Sequence, residues 1–519
     1  MSKKKFFILI GFVWVSFFTY GQNVIPFPEN YLQGEGYFEL SKTIKIVTNL
    51  PKEKEKRLEE FINKNLIVSN IQKKNSIIEL KVTQPEKEEE AWNDPQLQAY
   101  TLSIGIDTIK IQSPTSMGLF YGLQTLRQLT NNGKIHCAEI IDKPKFRHRG
   151  LMIDCSRHFW SKEFIKKQID AMAYLKLNRL HLHLVDGGGW RIEVTKYPDL
   201  INKTAYRTSS DWDKKWKYCY KGTPNAYGGY YTKDDIREIV TYAQKNYITV
   251  IPEIEMPGHS NEVIYAYPEL SCTGKGDGFD LCIGNPKTYV FLTEVLQEVI
   301  ELFPSEYIHV GGDEASMMYW KKCPKCMALY KEKNMTEIIQ LQSYLMARID
   351  EFLTKKGRKM MGWDEILEGN QVSPGATVLS WRGETGGVTA AKLRHHAVMS
   401  PSEFCYLDQY QDNPSTQPKA FGGYIPLEKV YSYDPIPTQL KDTEYTKYID
   451  GIQGNLWTEY VETEQHAEYM IYPRITAIAE IGWGYKSNYT EFKQRVIKMM
   501  QILKSLGYNS FDITKEVRK

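Results

Sequence analysis

Beyond its first 20 residues, this 519-residue chain has no apolar run near the roughly 20 residues that cross a bilayer, which excludes a multi-span membrane protein. It lacks a dominant charge: 66 basic residues face 63 acidic ones, and Lys3, Lys4 and Lys5 account for the whole excess of +3. A nucleic-acid partner, which needs a basic footprint, is therefore not expected. Collagen-like and coiled-coil compositions are absent as well. Apolar material is not scarce, at 42% hydrophobic and 13% aromatic residues, so intrinsic disorder is excluded and the length suits about two or three domains.

The N-terminus reads as an export leader. Lys3–Lys5 form a basic region, Phe6–Phe18 an apolar one, and Thr19-Tyr20-Gly21 a cleavage site, which makes residues 1–21 a signal peptide. The apolar stretch is short for a transmembrane helix, and no Cys follows it to carry a lipid, so stable membrane insertion is not expected. A periplasmic or secreted location permits disulfides. Cys272 and Cys282 flank a Gly-rich loop, and Cys323-Pro-Lys-Cys326 forms a second close pair. A lone C-x2-C could be half a zinc site or a redox pair. With no second pair at zinc-finger spacing, local disulfides are the expectation.

Residues 22–145 read as a small α+β unit without catalytic residues. Strands are expected at 43–48, 77–82, 100–104 and 108–111, helices at 52–65 and 116–129, and an acidic surface loop at 85–94. Residues 146–519 change rhythm. Eight short β-type runs, at 150–154, 179–184, 248–254, 307–311, 359–363, 377–381, 397–400 and 451–457, are interleaved with helices such as 161–175 and 232–245. That alternation predicts an α/β fold, a (β/α)8 TIM barrel preceded by the small α+β domain. A doubly wound sheet would show a Gly-rich phosphate turn after its first strand, and Asp154-Cys-Ser-Arg157 is not one.

Barrel enzymes carry their reactive groups at the carboxyl ends of the strands. Those ends hold Asp154 and Arg157, His183 and Asp186, Glu253, Glu255 and His259, Asp313 and Glu314, Trp363, Trp381, Tyr406 and Asp408, and Trp457 and Glu459. Carboxylic acids can protonate a leaving oxygen, Arg can fork onto hydroxyls and Trp faces can enclose a sugar ring, so the set suits a glycan. The sharpest element is IHVGGDEA, residues 308–315. Neighbouring Cα atoms lie about 3.8 Å apart, so Asp313 and Glu314 cannot easily flank a sugar from opposite faces. One can donate a proton while the other orients the substrate, and their proximity should raise the pKa of one.

HVGGDE, with RGLMIDCSRHF (149–159), HLHLVDGGGWR (181–191), PEIEMPGH (252–259), GWDE (362–365), SWRG (380–383), YLDQY (406–410) and GNLWTEY (454–460), resembles glycoside hydrolase family 20, the β-N-acetylhexosaminidases. The resemblance covers most of the chain. It implies exo-acting release of terminal GlcNAc or GalNAc by retaining hydrolysis, in which the substrate's 2-acetamido oxygen is the nucleophile. It further implies Glu314 as general acid/base, Asp313 holding the acetamido N–H, and Tyr406 donating to the acetamido carbonyl. Trp363, Trp381 and Trp457 would wall the pocket, Arg157, Asp408 and Glu459 would bind sugar hydroxyls, and Asp186 with His259 would tune the acid. The family often has Asp-Asp-Gln-Gly-Trp where this chain has Asp186-Gly-Gly-Gly-Trp190, which implies a more permissive loop.

Two other readings use the same residues. One is a conventional retaining glycosidase with Glu459 as nucleophile, the other a non-catalytic glycan-binding protein. His181-x-His183 could form a metal pair, but the sugar-binding set would then go unused, so neither metal nor cofactor is expected. The aromatic segment 206–231 is expected to shape the leaving-group side, and His395-His396 to lie on the surface.

Overall fold

The computed structural model describes residues 23–41, 43–66, 76–84, 87–369 and 371–516. The expected leader lies outside the described residues. Among the described residues no helix is long and apolar enough to cross a membrane.

The N-terminal unit is one six-stranded sheet with strands β1 (Asn30–Glu39), β2 (Ile44–Thr48), β3 (Ser76–Val82), β4 (Tyr100–Ile104), β5 (Thr108–Ser113) and β6 (Lys134–Asp142), in the order β1-β6-β4-β5-β3-β2. Strands β1 and β6 are additions to the sequence reading. Gly34 and Gly36 interrupt the alternation of β1, whose register slips between Gln33 and Tyr37, so its strand pattern is weak. Helices α1 (Lys52–Asn65) and α2 (Ser116–Leu129) cover one face. Within the expected acidic loop, Glu88–Ala91 instead forms a helical turn that buries Ala91.

Eight parallel strands then close into a barrel, as the alternation predicted. They are β7 (His148–Asp154), β8 (Arg179–His183), β9 (Thr249–Met256), β10 (Tyr307–Gly311), β11 (Lys359–Trp363), β12 (Thr377–Ser380), β13 (His396–Met399) and β14 (Ile449–Leu456). Between them run α3 (Lys162–Tyr174), whose first turn is capped by Ser161, and α4 (Lys233–Lys245), which opens on a reciprocal Thr232–Asp235 capping box. Further round lie α5 (Pro286–Leu302), α6 (Pro324–Glu332) and α7 (Gln340–Lys355), and α8 (Ile475–Trp483) follows the last strand. Ile251, Tyr307, Met361, Trp363, Leu379 and Val398 pack inside the barrel, so it is a filled core rather than a pore.

Buried charges join the sheet to the barrel. Asp142, at the end of β6, accepts from Lys176 Nζ at 3.1 Å, Tyr100 at 2.5 Å and Trp483 Nε1 at 2.8 Å, and both ions are fully buried. Arg149 of β7 donates to Gln98, Tyr121 and the carbonyls of Phe146 and Lys176.

Two expectations need correction, on the His395-His396 pair and on the disulfides. His395 is buried, and His396 bonds Asp450 at 2.8 Å, because both flank the start of a barrel strand. The segment 206–231 is a small sheet of three short strands in two pairings, with Arg207 about 5 Å from the rings of Trp212, Trp216 and Tyr227 and the Tyr218 hydroxyl donating to the Gly187 carbonyl beside Asp186. The expected disulfides are not formed: Cys272, Cys282, Cys323 and Cys326 are all free and cluster together.

The buried ion pair yields a stability prediction. Asp142→Ala leaves Lys176 charged and unpaired in the interior, which should cost about 3–5 kcal/mol in urea unfolding. Adding Lys176→Met should recover part of that loss, since no buried cation is then left without a partner.

Candidate active site

The mouth at the carboxyl ends of the strands encloses a cavity of about 320 Å³. Ten of the eleven residues to which the family resemblance gives a role line it: Arg157, His259, Asp313, Glu314, Trp363, Trp381, Tyr406, Asp408, Trp457 and Glu459. Asp186 stands behind them, in contact with Arg157 and His259. Ser402, Gln409 and Phe421 also line the cavity and were missed. Gln409 lay unremarked inside YLDQY, whereas nothing in the local sequence marks Phe421.

The backbone around the acids is tightly specified. Gly311 and Gly312 have φ of +66° and +97°; a Cβ at the first would meet Glu255 at 2.0 Å, and at the second Ile366 at 2.7 Å. Glycine is required at both. Glu314 itself has φ of +50° and the facing His259 +48°, a conformation that costs side-chain-bearing residues energy and concentrates at functional sites. The loop 187–189 differs from expectation. A Cβ on Gly188 would meet the Arg157 backbone at 2.7 Å, so its glycine serves close packing beneath the site rather than permissiveness.

A chain of charge supports the acids. His259 Nε2 lies 3.4 Å from both Asp313 and Glu314, and its Nδ1 lies 3.3 Å from Asp186. Burial opposes charge on His259, but Asp186, Glu314 and Asp313 together hold its pKa well above the ordinary value. Asp186 also meets Arg157 at 2.7 Å and His183 at 3.1 Å. One layer deeper, Glu253 is paired with His183, with His181 at 3.1 Å and His309 at 2.8 Å, and accepts from Trp363 Nε1 at 2.9 Å. Burial would raise the Glu253 pKa, yet the three histidines hold it well below the usual carboxylate range. His181-x-His183 is thus engaged with Glu253.

The neighbouring acids split in pKa, but through their surroundings and not, as expected, through their mutual proximity. Burial raises Asp313, while the His259 ring lowers Glu314. The Asp313 side chain is only 14% exposed and that of Glu314 57%, which accounts for the difference.

The opposite wall is held from β7, β14 and α8. Asp154 accepts from the backbone of Ser156, Arg157 and Thr458, which fixes the segments bearing Arg157 and Glu459 against each other. Arg474, just before α8, donates to the carbonyls of Leu407 and Gln409 and thereby sets the loop that presents Tyr406 and Asp408. Trp381 stacks on Tyr406 at 6.3 Å and 16°, and Trp457 lies 5.8 Å from Trp363 and under Arg157. Burial and Glu459 push Asp408 up to about 8. Glu365, overlooked within GWDE, accepts from Trp381 Nε1 at 2.9 Å.

Buried polar atoms around the cavity without a hydrogen-bond partner include Arg157 Nε, Asp313 Oδ1, Asp408 Oδ1 and Glu459 Oε2. Unmatched buried polar atoms are costly, and this grouping suits a ligand rich in hydroxyl and amide groups. Beside them lie aromatic faces and one accessible acid. Such a site can bind a sugar ring and protonate a glycosidic oxygen.

Residues 146–486 match glycosyl hydrolase family 20, catalytic domain, and residues 21–143 match domain 2 of the same family. A beta-hexosaminidase of Porphyromonas gingivalis is 41% identical over 422 residues, covering 77% of this chain and 52% of that protein. One from Vibrio furnissii is 37% identical over 404 residues, covering 75% and 66%. The chain thus spans between half and two thirds of the length of these relatives. Among solved structures, an exo beta-N-acetylglucosaminidase of Vibrio harveyi in complex with N-acetylglucosamine superposes with a TM-score of 0.82 at 30% identity, covering 94% of this chain and 78% of that one. The chain belongs to glycosyl hydrolase family 20.

Proposed function

We propose that this protein is an exo-acting β-N-acetylhexosaminidase that releases terminal N-acetylhexosamine from glycans by substrate-assisted, retaining hydrolysis. The observation that carries this reading is that Asp313 and Glu314 both lie 3.4 Å from one nitrogen of His259. They share a side of the cavity and do not flank a sugar between them, so the nucleophile has to come from elsewhere. Named relatives that act as hexosaminidases, and a neighbouring structure with bound N-acetylglucosamine, support the same substrate class.

In this mechanism the acetamido oxygen attacks the anomeric carbon as Glu314 gives its proton to the departing oxygen. The result is a cyclic oxazolinium-type intermediate. Asp313 Oδ1, which has no partner in the free site, accepts the acetamido N–H and offsets the positive charge that develops on the ring. Tyr406 donates its hydroxyl to the acetamido oxygen, and Trp363, Trp381 and Trp457 enclose the methyl group and the sugar face. Water then attacks the anomeric carbon, yielding its proton to the Glu314 carboxylate, and the second inversion restores the β-configuration. Arg157, Asp408 and Glu459 hold the hydroxyls of the terminal sugar, which confines the reaction to chain ends. We further propose export, on the strength of the lysine-led apolar leader.

The substrate panel is the direct test. A chromogenic 2-acetamido glycoside should be cleaved and its 2-hydroxy counterpart left nearly untouched; equal rates would instead favour Glu459 as a conventional nucleophile. Glu314→Gln should lower kcat by about 10²–10⁴-fold while keeping affinity for N-acetylglucosamine, as measured by calorimetry.

The His259 contact adds a pH prediction. His259 and Glu314 share the proton used for donation, so they titrate as a pair. Activity requires that proton and should fall with rising pH only as the raised His259 value is passed. In His259→Gln the proton rests on Glu314 alone. The basic limb of kcat/KM should then shift toward the acidic range of a carboxyl group, and an unmoved limb would reject the coupling.

A further inference from the structure

The sulfurs of Cys272, Cys282, Cys323 and Cys326 all lie within 4.8 Å of one another, and those of Cys282 and Cys326 each have two close neighbours. Cys282 is 3.6 Å from Cys323 and 3.7 Å from Cys326, while Cys326 is also 3.6 Å from Cys272. A disulfide would bring two sulfurs to about 2.05 Å and set the other pair apart. Four thiolates at about 2.3 Å from one zinc ion would instead sit at the corners of a tetrahedron with edges of about 3.8 Å. Three of the six sulfur–sulfur edges, at 3.6–3.7 Å, are close to that length, and the other three lie within 4.8 Å.

The surroundings fit a thiolate cluster. Cys323-Pro324-Lys325-Cys326 opens α6, whose free backbone N–H groups favour negative charge nearby. The Gly284 N–H donates to Cys326 Sγ at 3.4 Å, a hydrogen bond that orients the sulfur and stabilises its charge. Gly284 can approach this closely because a Cβ there would fall 2.2 Å from the Lys325 backbone. Three of the four cysteines are buried and Cys272 is half-buried, so the centre is screened from water.

We infer that these four cysteines form a structural zinc site that ties the loop after β9 to the loop after β10. Those are the two loops that carry the charge pair of the active site. From the first, Phe279 packs its ring 4.6 Å from His259 and accepts the Ser260 N–H at 2.9 Å. Its neighbour Asp280 accepts from the backbone of Ser316 at 2.9 Å and Met317 at 2.8 Å, just beyond Glu314. The ion carries no catalytic step. It closes four ligand positions and holds His259 and Glu314 in register from outside the cavity. The inference concerns metal content and stands whether or not the proposed reaction is correct.

The test uses the full chain, expressed both in the cytosol and with export, and purified without chelator or added metal. Elemental analysis should find one zinc per chain in both preparations. Replacing zinc with Co²⁺ should produce the thiolate-to-cobalt charge-transfer and tetrahedral ligand-field bands of a four-sulfur site. Cys323→Ser combined with Cys326→Ser should abolish both signals. Because that variant can fail to fold, the cobalt spectrum of the unaltered protein decides the question by itself. Disulfides among these cysteines in the exported protein, or four alkylatable thiols that give no cobalt spectrum, would overturn the inference. Slow removal of the zinc with a chelator should lower kcat and thermal stability together, and re-addition of Zn²⁺ should restore both.

Discussion

Everything at the mouth of this barrel depends on compensating carboxylates in a place with little water. Glu253 sits fully buried inside the ring of strands, where an unpaired charge would be prohibitive, and it survives as an anion because three histidines converge on it. His183 passes that constraint upward to Asp186, Asp186 holds Arg157 and His259, and His259 meets the acids Asp313 and Glu314. Asp313 and Glu314 are therefore the outer end of a charge network that begins in the core.

The network explains why the two neighbouring acids behave differently. They occupy consecutive positions and approach the same histidine, yet one is enclosed and the other opens to solvent. Burial raises the first, and the nearby imidazolium lowers the second. A sugar entering the cavity would cover Glu314 and weaken that asymmetry, since desolvation favours the neutral carboxyl group.

Stiffness in the surrounding loops comes from backbone-directed side chains. Asp154 gathers three N–H groups from two segments, Arg474 gathers carbonyls along the loop of Tyr406 and Asp408, and Asp280 accepts two N–H groups just past Glu314. None of these three touches the cavity. They convert loops into fixed platforms, which a site needs when reacting groups must be held within fractions of an ångström.

Much of the barrel was legible because alternation of short β-runs with capped helices is a local signal, and all eight strand positions followed from it. The cavity-lining residues were legible because strand ends and motif order mark them. Strands β1 and β6 were not, since a bulged edge and its partner carry weak alternation. The cysteines show the limit most plainly. Spacing along the chain pairs Cys272 with Cys282 and Cys323 with Cys326, and so suggests two local bridges. Only folding brings the two loops together, where the close sulfur contacts run between the loops, Cys272 to Cys326 and Cys282 to both Cys323 and Cys326. The sequence by itself determined the barrel and the inventory of acids, aromatics and arginine at its mouth, because those are carried by local periodicity and order. Which acid is enclosed, which histidine is charged and which cysteines meet were decided by tertiary structure, because burial and distance between remote segments exist only once the chain has closed on itself.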